Sequence, residues 1–409
     1  MRSGPVSLLV PAAVVVAAAG LASCAPEPAV EAPQPQQVVV AAEQLDTGEY
    51  RVEPFNVGAL FRDHPATVET LGYGDHLLAA YEVDPQFERS LGGGPLFNLA
   101  GMPLVGDEDV KPLHDHKEDF IGGFHLRGKE GDRITLHAVL KFSSPEVAEA
   151  IVQDWQRSML EECTLIAGTF EMGSAPLAIP GHPEVAAAQI GPDVRAVAAH
   201  GEFVVYASTH MRPAMGAYGY EAIPDSELAW EPGYLSAYFD KQVPEVAAMQ
   251  PRLDPDPEGI LRYSVPPLKI TDYTIPFGVS NKQYASFFTH PERALELLNQ
   301  AGVDAVALNE VQVLRARDET AARRLQEGLS NLVEGEDWRG YPEPQGLPDT
   351  VCQTKDEERE KTYECTTRFG RYVATAGVSD IYTEVEDDGA QMELSRKMAA
   401  QYRLFQQMP

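Results

Sequence analysis

The residues with the widest chemical range in this chain are Cys352 and Cys365, set in VCQTKDEEREKTYEC. Such a pair can clip a metal, shuttle between thiol and disulfide, or staple two strands. A structural zinc site needs about four Cys or His ligands at recognisable spacing. No Cys-x-x-Cys and no second Cys/His cluster is present to complete one. A second cluster, LHDHKEDF, gathers His114, Asp115, His116, Glu118 and Asp119. On a strand, His114 and His116 would share a face and could chelate zinc or copper. With no third ligand identifiable, the segment reads as a solvated acidic loop, and no metal or other cofactor is expected. His125 and His137 stand in strand-like stretches, as core or edge histidines.

Other patterns resolve toward structure. Asp254-Pro-Asp256-Pro-Glu258-Gly259 has the opening of a calcium loop, but Val265 occupies the place of its bidentate glutamate, so a turn is expected. Gly92-Gly93-Gly94 lacks the lysine and Ser/Thr of a phosphate loop and reads as a flexible turn. No Gly-x-Ser-x-Gly, His-Glu-x-x-His or dinucleotide fingerprint occurs. Paired carboxylates could serve hydrolysis, but among 62 acidic residues their proximity carries little information. The aromatic run Tyr218, Tyr220, Trp230, Tyr234 and Tyr238 stands between the two halves of the chain. It is the candidate binding cleft, since pockets favour domain boundaries and aromatic faces suit sugars or acyl chains.

The N-terminus sets the compartment. MRSGPVSLLVPAAVVVAAAGLASC pairs one basic residue with an apolar run from Val6 to Leu21, shorter than a comfortable membrane span and ending in small residues. Leu21-Ala22-Ser23-Cys24 has the order of a lipobox, so Cys24 is expected to carry a diacylglyceryl anchor after cleavage before it. The Pro-rich stretch that follows cannot pack a core and reads as an extended tether. Export places the remaining cysteines in an oxidising compartment, where thiol pairs persist as disulfides. Cys352 and Cys365 are therefore expected to pair, leaving Cys163 buried as a small apolar side chain. The formal charge of −30 argues against nucleic acid and against docking of the body on anionic headgroups.

Stepping along the elements, one plan occurs twice. A β-rich segment ends at Phe142; Ser144 caps and Pro145 opens a helix whose Val147, Ile151 and Trp155 form one stripe. In the second half Asp318 caps a helix striped by Ala321, Leu325, Leu329 and Leu332. Downstream, Gly181-His182-Pro183 and GEFVVYA match Gly346-Leu347-Pro348 and GRYVATA, which sets Cys352 and Cys365 opposite Ala187 and Ala196. A last helix, with Met392, Leu394, Met398, Tyr402 and Leu404, is expected to pack on the second sheet. The expected fold class is α+β: two related subdomains, each a mainly antiparallel sheet with packed helices. The expected layout is signal peptide 1–23, lipidated cysteine and tether 24–44, N-terminal domain 45–215 and C-terminal domain 216–409.

QLDTGEY after a Pro-rich tether, GRYVA after a late cysteine, and MAAQYRLF at the end resemble uncharacterised lipoproteins of mycobacteria, nocardiae and their relatives. The resemblance implies an actinobacterial envelope and a body of N- and C-terminal domains of unknown function; it brings no catalytic residues. Trp155 and Cys163 after a helix give a weaker likeness to extracytoplasmic kinase sensor domains. The expectation is a lipid-anchored, extracytoplasmic binding or scaffold protein without catalysis, held to the membrane through Cys24. Its partner would be an envelope protein, a lipid or a glycan. The alternatives are an envelope hydrolase using carboxylates and a sensor domain.

Overall fold

The computed structural model describes residues 41–408, apart from 62–68, 100–110, 162–163, 167–169, 173, 212–214, 217–218, 221–224, 250–251, 253, 270–276, 335–337, 357–359 and 382–388. The segments expected to be a signal, a lipobox at Cys24 and most of a tether therefore lie outside the described residues, as do Cys163 and Tyr218.

Two seven-stranded antiparallel sheets organise the rest. The first contains β1 (Arg89–Leu96), β2 (Phe120–Glu130), β3 (Arg133–Phe142), β4 (Ser174–Pro176), β5 (Ala186–Ile190), β6 (Asp193–His200) and β7 (Phe203–Met211). The second contains β8 (Phe277–Val279), β9 (Ala305–Leu308), β10 (Gln312–Arg315), β11 (Arg339–Tyr341), β12 (Thr350–Asp356), β13 (Glu360–Phe369) and β14 (Tyr372–Ile381). Their orders, β1-β2-β3-β7-β6-β5-β4 and β8-β9-β10-β14-β13-β12-β11, are the same order twice. The duplicated plan read from the sequence is thus a duplicated topology, and the fold is α+β with two related subdomains.

In each copy the long helix falls between the third and fourth strands. α1 (Pro145–Glu161) starts where the Val147 amide donates to Ser144 Oγ at 3.3 Å, and it buries Ala148, Ile151, Trp155 and Met159. Proline at its first position gives up an amide that has no helical partner anyway. In the second copy Asp318 Oδ1 accepts from the Ala321 amide at 2.8 Å. The helix that follows there buries Ala321, Ala322, Leu325 and Leu329.

Long runs of buried residues in β3, β6 and β7 require cover on both faces. In the first sheet α1 covers one face; α2 (Glu231–Ala248) and the short helices Tyr73–His76 and Ala80–Val83 cover the other. In the second sheet α3 (Pro291–Ala301) and α4 (Glu319–Glu334) cover one face, and α5 (Gly389–Phe405) covers the other. Leu394, Met398, Leu404 and Phe405 of α5 are buried, whereas Met392 is 49% exposed and outside the packing stripe.

Connections between the halves do not respect a simple division of the chain. α2, which follows the aromatic boundary, packs on the first sheet. Tyr50, Phe55, Val57 and Phe61, at the other end of the chain, are buried in the core of the second. Where the halves meet, the Ser90 amide donates to the Thr289 carbonyl at 2.9 Å and Ser90 Oγ to the Ser286 carbonyl at 2.6 Å. Gln283 Nε2 reaches the Leu71 carbonyl at 2.7 Å.

Candidate functional site

Beside that junction lies a cleft of about 700 Å³. Its walls come from the edge strand β1 with the residue after it, and from β8, β9 and the segment between them: Pro95, Leu96 and Phe97 line it with Phe277, Phe287 and Leu308. Phe97 and Phe277 meet edge to face, with centroids 6.3 Å apart. Polar side chains are interspersed among them: Asn98, His125, Asn309, Glu310 and Gln312. Glu310 is held by the Lys397 ammonium at 2.7 Å, which it shares with Glu393 at 3.2 Å.

The glycines at 92–94 are what allow the cleft. They form part of β1, not a free turn, and the register with β2 slips between Ser90 and Gly93 as a bulge. Gly92, at φ +86°, takes a backbone conformation that side chains resist. A Cβ on Gly93 would lie 2.3 Å from the His125 carbonyl, so that position must be bare. A Cβ on Gly94 would meet nothing within 4 Å, because Gly94 faces the opening. His125, paired with Gly94 across the ladder, is pushed down to about 4 by burial and lines the cleft as a neutral imidazole.

A second cavity, of about 380 Å³, adjoins the first and shares Phe287, Gln312, Ala376 and Gly377 with it. It lies against α4 and is walled by Tyr284, Phe287, Phe288, Leu329, Leu332 and Trp338. Tyr284 Oη donates to Gln312 Oε1 at 2.7 Å. Glu364 enters from β13, where Thr375 Oγ1 donates to its Oε1 at 3.1 Å and burial raises its carboxyl above the usual range.

The residues singled out in the sequence sit elsewhere. Tyr234 and Tyr238 are buried in the first sheet's core, and Trp230 lies against Phe87 with the Arg133 guanidinium over its ring. Positions 230, 234 and 238 repeat every four residues, which is the spacing of a helix packing face. That signal outranks their place at a boundary. Tyr220 lies in a two-residue strand paired with Met215–Gly216. His137 is fully buried: Nδ1 donates to the Leu78 carbonyl at 2.7 Å, Nε2 accepts from Tyr234 Oη at 3.0 Å, and burial depresses it to about 4.

His114 lies in the helical turn Lys111–Asp115 and not on a strand, so the two imidazoles do not share a face as strand geometry would require. His116 instead meets Asp154 of α1 at 3.4 Å. Among the described residues no group of three or more His, Cys, Asp or Glu converges as a metal site. Residues 254–259 form a turn in which Asp254 Oδ1 accepts from the Asp256 amide at 2.9 Å and Gly259 takes φ +69°. Cys352 and Cys365 are directly opposed on β12 and β13 and joined as a disulfide.

Two family models match the chain: the N-terminal domain of unknown function DUF7373 over residues 62–256, and its C-terminal partner over residues 276–407. No curated protein matches. Among solved structures, the extracellular domain of PknH from Mycobacterium tuberculosis is similar at 15% identity and TM-score 0.29, covering 43% of this chain and 95% of its own. Crystal form I of TP0453 is similar at 8% identity and TM-score 0.23, covering 78% and 96%. Among the described residues no helix is long and apolar enough to cross a membrane.

Proposed function

The chain belongs to the DUF7373 family, and on that premise we propose that it is an exported binding protein. In this reading it is lipid-anchored at Cys24 in an actinobacterial cell envelope, and it holds a lipid, glycan or protein segment with apolar and hydrogen-bonding parts between its halves. The observation that carries this reading is the cleft bounded by β1, with aromatic and aliphatic walls and interspersed hydrogen-bonding groups. Small-molecule sites have this character, and they favour the seams between subdomains. The disulfide supports an oxidising compartment. The carboxyls that burial raises, Glu231, Asp256 and Glu364, belong to three separate environments, and none lines the cleft. This favours binding over hydrolysis by paired carboxylates.

Native mass spectrometry of protein extracted from its envelope tests the reading. Wild type should carry a lipid, glycan or other ligand that Gly94→Trp, filling the cleft from a position with open space, loses. Recovery of the same ligand from both proteins, or of none from wild type, would refute the cleft as the site. Cys24→Ala should move the protein from membrane to soluble fractions, and unchanged retention would remove the anchor from the proposal.

A further inference from the structure

The two sheets can be laid over each other residue by residue. Hairpin turns from His200 to Phe203 and from Phe369 to Tyr372 set Tyr206 equivalent to Thr375 and Arg195 equivalent to Glu364. The caps Ser144 and Asp318 set Trp155 equivalent to Leu329. In the first copy Trp155 and Tyr206 are wholly buried and stacked, centroids 4.8 Å apart and planes 14° apart, between α1 and the sheet. In the second copy Leu329 and Thr375 stand in their places, and both line the 380 Å³ cavity.

One fold has thus packed this position with two large rings in one copy and left it hollow in the other. Interiors are close-packed, and a void whose walls could collapse would tend to close. Here Tyr284 is pinned by Gln312, and Phe288 stands edge to face with Tyr284 at 5.2 Å, so part of the wall is fixed. The charge also changes sign. Arg195 has Asp193 at 4.0 Å, whereas among the described residues no ion pair reaches Glu364. Glu364 is half-buried, a carboxylate partly withdrawn from water without a cation is costly, and aromatic walls attract cations.

We propose that the cavity between α4 and the second sheet is a binding site for an ammonium group carried on an apolar body, with Glu364 as its counter-charge and Trp338, Phe287 and Phe288 around it. Lys355, which has a partner of its own, lines the same cavity, so the test must carry both signs of charge. The inference goes beyond the cleft and stands whether or not the cleft is filled.

Titration calorimetry of the purified chain with octyltrimethylammonium, octanol and octanoate, all kept below micelle formation, tests it. The cation should bind at least tenfold more tightly than the other two. Glu364→Gln should weaken the cation at least tenfold and leave octanol within twofold. Leu329→Trp with Thr375→Tyr, which restores the first copy's rings, should abolish binding of the cation, and Gly94→Trp should leave it unchanged. Octanoate binding as tightly as the cation, an unaffected Glu364→Gln, or no cation binding at all would overturn the proposal. Should Glu364→Gln not fold, cation binding retained by the refilled double variant would overturn it alone.

Discussion

Beneath its long helix the first half of this protein stacks an indole on a phenol; the second half, with the same strand order and the same helix, holds a leucine, a threonine and open space. Opposite that face the contrast is reversed. Where the first sheet pairs Ala187 with Ala196, the second pairs Cys352 with Cys365 in a covalent bond. Each half is therefore well secured where the other is plain. The tightly packed copy needs no cross-link, and the copy with the cavity carries one on the other face of its sheet. A duplicated fold can place its stabilising contacts on different faces in this way, because the same topology is packed differently in each copy.

The largest effect should come from removing the rings. Trp155→Ala is expected to cost about 3–5 kcal/mol in denaturant unfolding, against about 2 kcal/mol for Leu329→Ala, whose site is already partly empty. Equal losses would break the comparison. Next is the cross-link: Cys352→Ala with Cys365→Ala, which copies the first half's alanine pair, should cost about 3 kcal/mol through loop closure. Non-reducing peptide mapping that found either cysteine joined to Cys163 would contradict the assignment.

A smaller effect lies in charge. The second half neutralises its buried Lys397 with Glu310 at 2.7 Å and Glu393 at 3.2 Å, while the first half leaves Glu231 wholly buried beside Thr209. Burial raises Glu231 to about 8 from its ordinary 4.5. The folded chain therefore keeps a proton that the unfolded chain releases. This contribution is full below the unfolded value and is lost as pH rises through about 8. Glu231→Gln should flatten that decline between pH 5 and pH 8. Denaturation curves at pH 5 and pH 8 that move in parallel for both proteins would contradict it.

Much of the fold was legible because local signals agreed. Ser144 and Asp318 announced two helices at the same place in two copies, and matching short turns set Cys352 and Cys365 against Ala187 and Ala196 before any pairing was visible. The cleft was not legible, and the reasons are physical. Its lining is drawn from Gly93 to Gly377, and no local period links residues that meet only through tertiary packing. Gly92-Gly93-Gly94 resembles a turn in sequence because bulges and turns ask for the same backbone freedom. A sharper reading was available for Trp230, Tyr234 and Tyr238, whose four-residue spacing signals a buried helix face.

The burial of Tyr50, Phe55, Val57 and Phe61 in the second sheet's core has a consequence for how the chain matures. Tyr50 Oη donates to Glu393 at 3.2 Å and Arg396 Nε to Asp46 at 2.9 Å, so a segment ahead of the first sheet is bound by a helix that follows the second. The first sheet's own strands pair without this segment, but the segment stays unburied until α5 is in place. Contacts of such long sequence separation are slow to form. In any compartment where it folds, this apolar leader is the part most exposed to proteases and chaperones, until α5 arrives to cover it.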